Sequence, residues 1–126
     1  MSRPSWKEVW KPPFTTDGCY IYADDLVMVF NIGWDMDMDD PWVVKLLNDI
    51  IKALNGEEIQ EKYPDFTIEN GCDLYKGDIE IGSFRGWGHL TGTGGLNLLE
   101  EEAEKVQDEM ITYVMERICK DYGKEV

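Results

Sequence analysis

A glycine-rich segment between residues 85 and 97, with the sequence RGWGHLTGTGGLN, concentrates side chains that could bind a ligand. It holds five of the twelve glycines, and glycine permits a positive φ or a close approach between the backbone and a ligand. Backbone N–H groups of such a loop can donate to an anion, while arginine adds positive charge and tryptophan a stacking face. The candidate ligand-binding residues are Arg85, Trp87, His89, Thr91 and Thr93.

A phosphate site in this segment meets two objections. No Lys followed by Ser or Thr comes after the last glycine, and the glycine spacing differs from the dinucleotide-binding pattern. Glu100, Glu101 and Glu102 also occupy the start of the helix predicted next. A carboxylate about 4 Å away repels an anion by ~4 kcal/mol near a protein surface, whereas an exposed helix N-terminus attracts it by ~0.3–1 kcal/mol. A tight turn that brings a strand against the helix is the alternative interpretation.

Four closely spaced aspartates, Asp35, Asp37, Asp39 and Asp40, form a second candidate cluster. Oxygen ligands at alternate positions are typical of the start of a calcium-binding loop. An EF-hand would have Gly at the sixth position and Glu at the twelfth, where this chain has Asp40 and Leu46. The pattern favours a solvated acidic edge before a helix, and we predict no metal ligands. A metal-dependent enzyme that uses Asp35–Asp40 is an alternative.

The net charge of −14, from 26 acidic and 12 basic residues, restricts the partners. Nucleic acids and anionic membranes bind clusters of Lys and Arg, so we expect neither as a direct partner. The stretch between Lys11 and Lys45 contains no basic residue, and its acidic field would attract a protein with a basic surface. The predicted partner-binding residues are Asp35, Asp37, Asp39 and Asp40. The simpler alternative is that the acidic charge only keeps the protein soluble.

Residues with catalytic potential are few. His89 is the single histidine, which disfavours a zinc site, and no Gly-x-Ser-x-Gly motif occurs. Cys19, Cys72 and Cys119 are odd in number and lack metal-site spacing, which is typical of free thiols in a reducing cytosol. We predict no catalytic residue and no cofactor. A catalytic pair of His89 with a carboxylate or a thiol is the alternative.

The segment that begins at Arg85, together with residues 100–103 and 106–108 downstream, resembles the C-terminal part of short uncharacterised proteins of bacteriophages and prophages. The resemblance covers about a third of the chain. It implies a bacterial or phage cytosol and a small accessory role. It carries no activity and identifies no catalytic residue.

The strand signals lie on both sides of the aspartate cluster. Residues 19–23 and 26–32 are rich in β-formers and flank Asp24-Asp25, which predicts a hairpin. Residues 66–69 and 72–75 flank Asn70-Gly71, a strong hairpin signal. A further strand is predicted by Ile79, Ile81 and Phe84. The alternation of residue types that starts at Leu26 continues to Met38, which predicts a long strand that leaves the core as aspartates replace apolar residues.

Two amphipathic helices are predicted. The first starts at Asp39-Asp40-Pro41 and ends at Asn55-Gly56. The second starts with Asn97 as its N-cap and Glu100 at the third helical position. The first helix directs a stripe formed by Val43, Leu46, Leu47, Ile50 and Leu54 inward, and the second a stripe formed by Ala103, Val106, Met110, Ile111, Val114, Ile118 and Tyr122.

We therefore predict an α+β fold with the order ββαβββα, in which two helices pack on one face of an antiparallel sheet of four to five strands. The whole chain, 1–126, is expected to form one domain, as a monomer or a small homo-oligomer. Residues 1–18 are predicted to form an N-terminal arm that packs Trp6 and Trp10 on the core.

The leading functional hypothesis is a small acidic binding protein, located in the bacterial host cytosol, that acts as a phage or mobile-element accessory factor and engages a host protein. The first alternative is a small-ligand or nucleotide binder that uses the glycine-rich segment. The second alternative is the metal-dependent enzyme that uses the aspartate cluster.

Overall fold

The computed structural model describes residues 5–24, 27–85 and 98–120, together with Tyr122. These residues form one antiparallel sheet and three helices. The strands are β1 (Phe14–Thr16), β2 (Tyr20–Ala23), β3 (Val27–Ile32), β4 (Phe66–Glu69), β5 (Asp73–Lys76) and β6 (Ile79–Phe84). The helices are α1 (Trp6–Val9), α2 (Pro41–Leu54) and α3 (Glu100–Ile118). The predicted α+β class is confirmed, but the six strands and three helices exceed the predicted four to five strands and two helices.

The six strands are arranged in the order β1-β2-β3-β6-β5-β4. The sheet has two halves, and within each half successive strands are joined by hairpins. β1, β2 and β3 follow one another along the chain, as do β4, β5 and β6, and α2 connects the two halves. β3 and β6 join the halves by antiparallel pairing, with Phe30 opposite Phe84 and Asn31 opposite Ser83. This pairing brings the middle of β3 close to the residue that follows β6, Arg85, although they lie far apart in sequence.

The core lies between the helices and one face of the sheet. Ile21, Phe30 and Phe84 are cross-strand neighbours and are all buried, and the rings of Phe30 and Phe84 meet edge to face at 5.0 Å between centroids. The helices contribute the apolar stripes predicted for them. Every predicted stripe residue of α2 and α3 from Val43 to Ile118 is buried, and Tyr122 is half-buried.

Gly82 in β6 allows this packing. A Cβ atom at this position would collide with the ring of Phe30 and with the carbonyl oxygen of Asn31. The glycine therefore lets the Phe30 ring lie directly over the backbone of β6.

α2 begins and ends where the sequence predicts. Asp40 is its N-cap and accepts a hydrogen bond from the Trp42 N–H at 2.8 Å, while Pro41 occupies the first helical position, where a missing N–H costs nothing. Asn55 is the C-cap, and Gly56 follows with a φ of 86°.

α3 begins later than predicted. Its N-cap is Leu99 and its first residue is Glu100, so the prediction of Asn97 as N-cap is wrong; Asn97 itself lies outside the described residues. Leu99 has no side-chain acceptor, but three glutamates occupy the first turn. Negative charge there stabilises the positive end of the helix dipole, which supports this start without a side-chain cap.

The predicted long strand ends early, because β3 stops at Ile32. The Gly33 N–H donates to the Ile81 carbonyl at 2.7 Å, and the Met36 N–H then donates back to the Gly33 carbonyl at 3.1 Å, which closes a turn. A strand needs a neighbour for its backbone groups, and this turn directs the chain away from β6, although β6 itself extends beyond Gly82 to Ile79. Alternating residue types were therefore a misleading signal here.

The segment predicted as an N-terminal arm contributes to the sheet. Trp6 in α1 and Trp10 just after it are buried, as predicted. Residues 14–16 form β1, which lies at one edge of the sheet, with Thr15 opposite Tyr22. Three residues are too few to produce a detectable alternation, so the sequence did not reveal this strand.

Candidate functional site

Of the predicted ligand-binding residues, the structure describes Arg85. Trp87, His89, Thr91 and Thr93 lie outside the described residues. Arg85 directly follows β6, and its backbone N–H donates to the Val29 carbonyl at 2.8 Å. The side chain is exposed, and its Nε donates to Oδ1 of Asn31. Arg85 is therefore fixed against β3 at both its backbone and its guanidinium group.

A groove of about 410 Å³ lies beside Arg85. Asn31 and Arg85 form its polar part, and the Asn31 side chain also donates to the Ile32 carbonyl at 2.9 Å. Asn31 lies opposite Tyr20 on β2 and Ser83 on β6, so it points away from the Phe30 face that forms the core. The apolar part of the lining includes Tyr20, Met28, Trp34 and Met36.

The segment between β3 and α2, residues 33–40, is named here the Trp34 turn. It consists of two successive turns, the first closed by Met36 on Gly33 and the second by the Asp40 N–H, which donates to the Asp37 carbonyl at 3.0 Å. The Trp34 side chain is 103% exposed. Met38 is exposed as well, and its sulfur lies 3.6 Å from the thiol of Cys19. An indole thus projects from a hydrogen-bonded segment.

The four aspartates predicted for partner binding all lie in the Trp34 turn and are exposed. Asp40 caps α2, and Asp37 accepts a hydrogen bond from the Asp39 N–H at 2.9 Å. Two of the four carboxylates thus stabilise the local backbone. Within the described part of the chain, no group of three or more His, Cys, Asp or Glu side chains is placed to hold a metal ion.

A polar cluster lies on the same side of the sheet as Asn31. Ser83 donates to Asp73 at 2.7 Å, and this hydrogen bond is the main reason that the pKa of Asp73 is lowered. Burial, together with the Asp73 charge, raises the pKa of the Cys72 thiol. A thiol with a raised pKa is protonated at neutral pH and is a poor nucleophile. Cys72 is therefore not activated for catalysis.

A second polar cluster connects α2 with the residues before β4. The hydroxyl of Tyr63 donates to Asp49 at 2.6 Å, and Lys45 donates to the same carboxylate oxygen at 2.9 Å. Burial and the Asp49 hydrogen bond raise the pKa of Tyr63 to about 12. The ring of Tyr63 stacks on Phe66 at 4.9 Å, and Trp42 packs edge-on against both. We interpret the role of this cluster as structural: it stabilises the packing of α2 against the residues before β4.

Local sequence patterns do not identify Trp34 and Asn31 as candidate site residues. Trp34 was assigned to a strand, although Gly33 before it and the aspartates after it are typical of a turn. Asn31 lies within the predicted strand, where no local motif indicates a binding residue. The contact between Asn31 and Arg85 depends on the pairing of β3 with β6, and no local pattern indicates that pairing.

Comparison of the chain with models of protein families, with curated proteins and with solved structures found no match. Within the described residues, no helix is both long enough and apolar enough to cross a membrane.

Proposed function

We propose that this chain is a small binding protein without catalytic activity of its own, a phage or mobile-element accessory factor that engages a host protein. The Trp34 turn is the proposed contact surface, and the partner carries an apolar pocket bordered by Lys and Arg. The complete exposure of the Trp34 indole is the observation that carries this proposal.

The exposure of Trp34 lowers the stability of the free protein but leaves the indole available to a partner. An indole left in water forgoes the ~1.5–3 kcal/mol that burial of a large apolar side chain contributes. Tryptophan is also among the residues most enriched at the energetic centres of protein interfaces. Two further apolar side chains are exposed: Met38, which lies in the turn itself and contacts Cys19, and Tyr20, which lines the same groove as Trp34. Such a surface favours an apolar partner.

The backbone of the Trp34 turn favours binding because it is already ordered. Its two turns are closed by backbone hydrogen bonds, its first residue is bonded to β6, and its last residue caps α2. A contact segment held in one conformation loses less entropy when it binds. This arrangement differs from a mobile loop that must become ordered in the complex.

Charge defines the partner's chemistry. Asp35, Asp37 and Asp39 follow Trp34 in the sequence and are exposed, and no Lys or Arg occurs between residues 11 and 45. Charges at the rim of an interface mainly steer the approach and set specificity, whereas a central apolar residue contributes more of the affinity. The partner should therefore surround its tryptophan pocket with basic side chains.

The experiment is capture of proteins from a bacterial host lysate by the tagged chain, followed by affinity measurements with the captured partner. Trp34→Ala is the test variant, and Ile79→Ala is the matched control, because Ile79 is a large apolar residue that is 60% exposed on β6. We expect Trp34→Ala to lose the partner and Ile79→Ala to retain it. A partner captured equally by both variants would contradict the proposed surface.

The aspartates are tested separately with the purified partner. Replacement of Asp35, Asp37 and Asp39 by Lys should slow association more than it speeds dissociation. The matched control replaces Glu57, Glu58 and Glu61, which are exposed acids in the loop after α2, by Lys. Raising the salt concentration should weaken the wild-type complex, because exposed charges are screened beyond about 10 Å at about 0.1 M. An affinity that does not change with salt would remove the electrostatic part of the proposal.

A further inference from the structure

The groove beside Arg85 has the features of a small-molecule site. Its volume of about 410 Å³ lies in the lower part of the range of ~300–1,000 Å³ in which proteins bind small ligands. Such sites have mostly apolar walls with a few convergent polar groups. The groove fits this description, since one guanidinium and one amide lie among methionine and aromatic side chains.

The polar end of the groove is held in position by its own hydrogen bonds. The Asn31 amide nitrogen donates to the Ile32 carbonyl, which orients the amide so that its oxygen accepts from Nε of Arg85. The backbone N–H of Arg85 is bonded to β3 as well. A guanidinium group oriented in this way can offer paired N–H donors to a carboxylate at a low entropic cost.

The apolar walls favour a flat ring. Tyr20 and Trp34 provide aromatic faces, and Met28 and Met36 provide flexible, polarisable side chains that adapt to a ring. Aromatic groups also pack favourably with one another in offset or edge-on arrangements. A ligand with a planar apolar part would bury more of this lining than a sugar would.

The charges around the groove favour a ligand that carries a single negative charge. Among the described residues that line the groove, Arg85 is the one cation, and its charge also acts on Asp73. The chain as a whole carries a net charge of −14. A dianionic phosphate would therefore be repelled more strongly than a monoanion, whereas a carboxylate matches both the charge and the planar geometry of one guanidinium.

We propose that this groove binds a small planar aromatic carboxylate, with the carboxylate on Arg85 and the ring between Trp34 and the two methionines. The proposal shares Trp34 with the proposed partner surface, but it is tested without any protein partner, so the two proposals can fail separately.

The experiment uses the intact chain labelled with [¹³C-methyl]methionine and titrated with three probes. The first probe is 2-naphthoate, the second is the uncharged 2-naphthamide, and the third is acetate, which has the charge without the ring. With naphthoate, the methyl signals of Met28 and Met36 should shift, while those of the buried Met110 and Met115 should not. The naphthamide should bind at least about tenfold more weakly, because it lacks the charge-assisted hydrogen bonds, and acetate should leave the signals unchanged.

The Arg85→Gln variant provides the second test, with Lys62→Gln as its matched control, since Lys62 is an exposed residue of the loop before β4. Arg85→Gln should remove the preference for naphthoate over naphthamide, and Lys62→Gln should preserve it. Unchanged Met110 and Met115 signals confirm that each variant is folded. Equal binding of the two naphthalene probes by the wild type would overturn the proposal, as would shifts confined to Met110 and Met115 or the absence of any shift up to the solubility limit.

Discussion

Phe30 and Trp34 are two aromatic residues only four positions apart, and they lie at opposite extremes of exposure. The Phe30 side chain is 0% exposed and the Trp34 side chain 103%. Both belong to the same alternating series of apolar residues, so the sequence pattern treats them alike. Phe30 has a partner strand, with Phe84 opposite it, whereas Trp34 follows the last residue of β3 and has none. Strand pairing, and not the residue type, separates the buried Phe30 from the exposed Trp34.

The first prediction tests this comparison directly. Phe30→Ala should lower the free energy of unfolding by about 3–5 kcal/mol, because it opens a cavity between β3, β6 and the helices. Trp34→Ala should change it by less than about 0.5 kcal/mol, since the side chain makes no buried contact. Urea denaturation followed by far-UV circular dichroism measures both. If Trp34→Ala destabilised the fold as much as Phe30→Ala, Trp34 would be part of the core. That result would refute the proposal that Trp34 lies on a partner-binding surface.

The second prediction extends the comparison to polar groups. Tyr63→Phe removes the hydroxyl that donates to the buried carboxylate of Asp49 at 2.6 Å. A buried acceptor that loses a hydrogen bond costs about 1–3 kcal/mol, so this variant should lose stability in that range. Tyr20→Phe is the matched control, because Tyr20 is 38% exposed, and it should change the unfolding free energy by less than about 0.5 kcal/mol. Equal urea midpoints for the two variants would show that the Tyr63 cluster contributes nothing to the fold.

Tyr63 also predicts a pH dependence. Its pKa is raised from 10.0 to about 12 by burial and by the hydrogen bond to Asp49. The native state therefore holds the phenol proton more tightly than the unfolded state does. This contribution to stability is complete below about pH 10 and is lost as the pH rises from about 10 through about 12. Urea denaturation across that range should show a smaller decline for Tyr63→Phe than for the wild type, and parallel declines would refute the assignment.

The sequence predicted the elements with strong local signals. Asp40 with Pro41, Asn55 with Gly56 and Asn70 with Gly71 each mark a boundary that the structure confirms. Local chemistry determines these boundaries, since each depends on a capping side chain or a positive φ. The start of α3 was predicted wrongly because Asn97 offered a good cap, although the three glutamates that begin three residues further on supported a later start.

The candidate site was less predictable for a physical reason. Arg85 was identified from its glycine-rich surroundings, but its hydrogen-bond partner Asn31 is 54 residues away along the chain. The groove exists because β3 and β6 are neighbours, and that pairing follows from the global packing of two hairpin-connected halves around Phe30 and Phe84. Trp34 was missed because its alternation with aspartates resembles a half-buried strand.

The last prediction concerns the Trp34 turn itself, where the aspartates differ in role. Asp40 accepts the Trp42 N–H at the start of α2, so Asp40→Ala leaves a helix-terminal N–H without its cap and should cost about 1 kcal/mol. Asp35 is exposed and forms no helix cap, and Asp35→Ala should leave the urea midpoint unchanged. The partner affinity should respond in the opposite order, because Asp35 lies next to the indole in sequence. Measuring both quantities for both variants separates the two roles. If Asp35→Ala destabilised the fold and left binding intact, the acidity of the turn would serve its structure and not a partner.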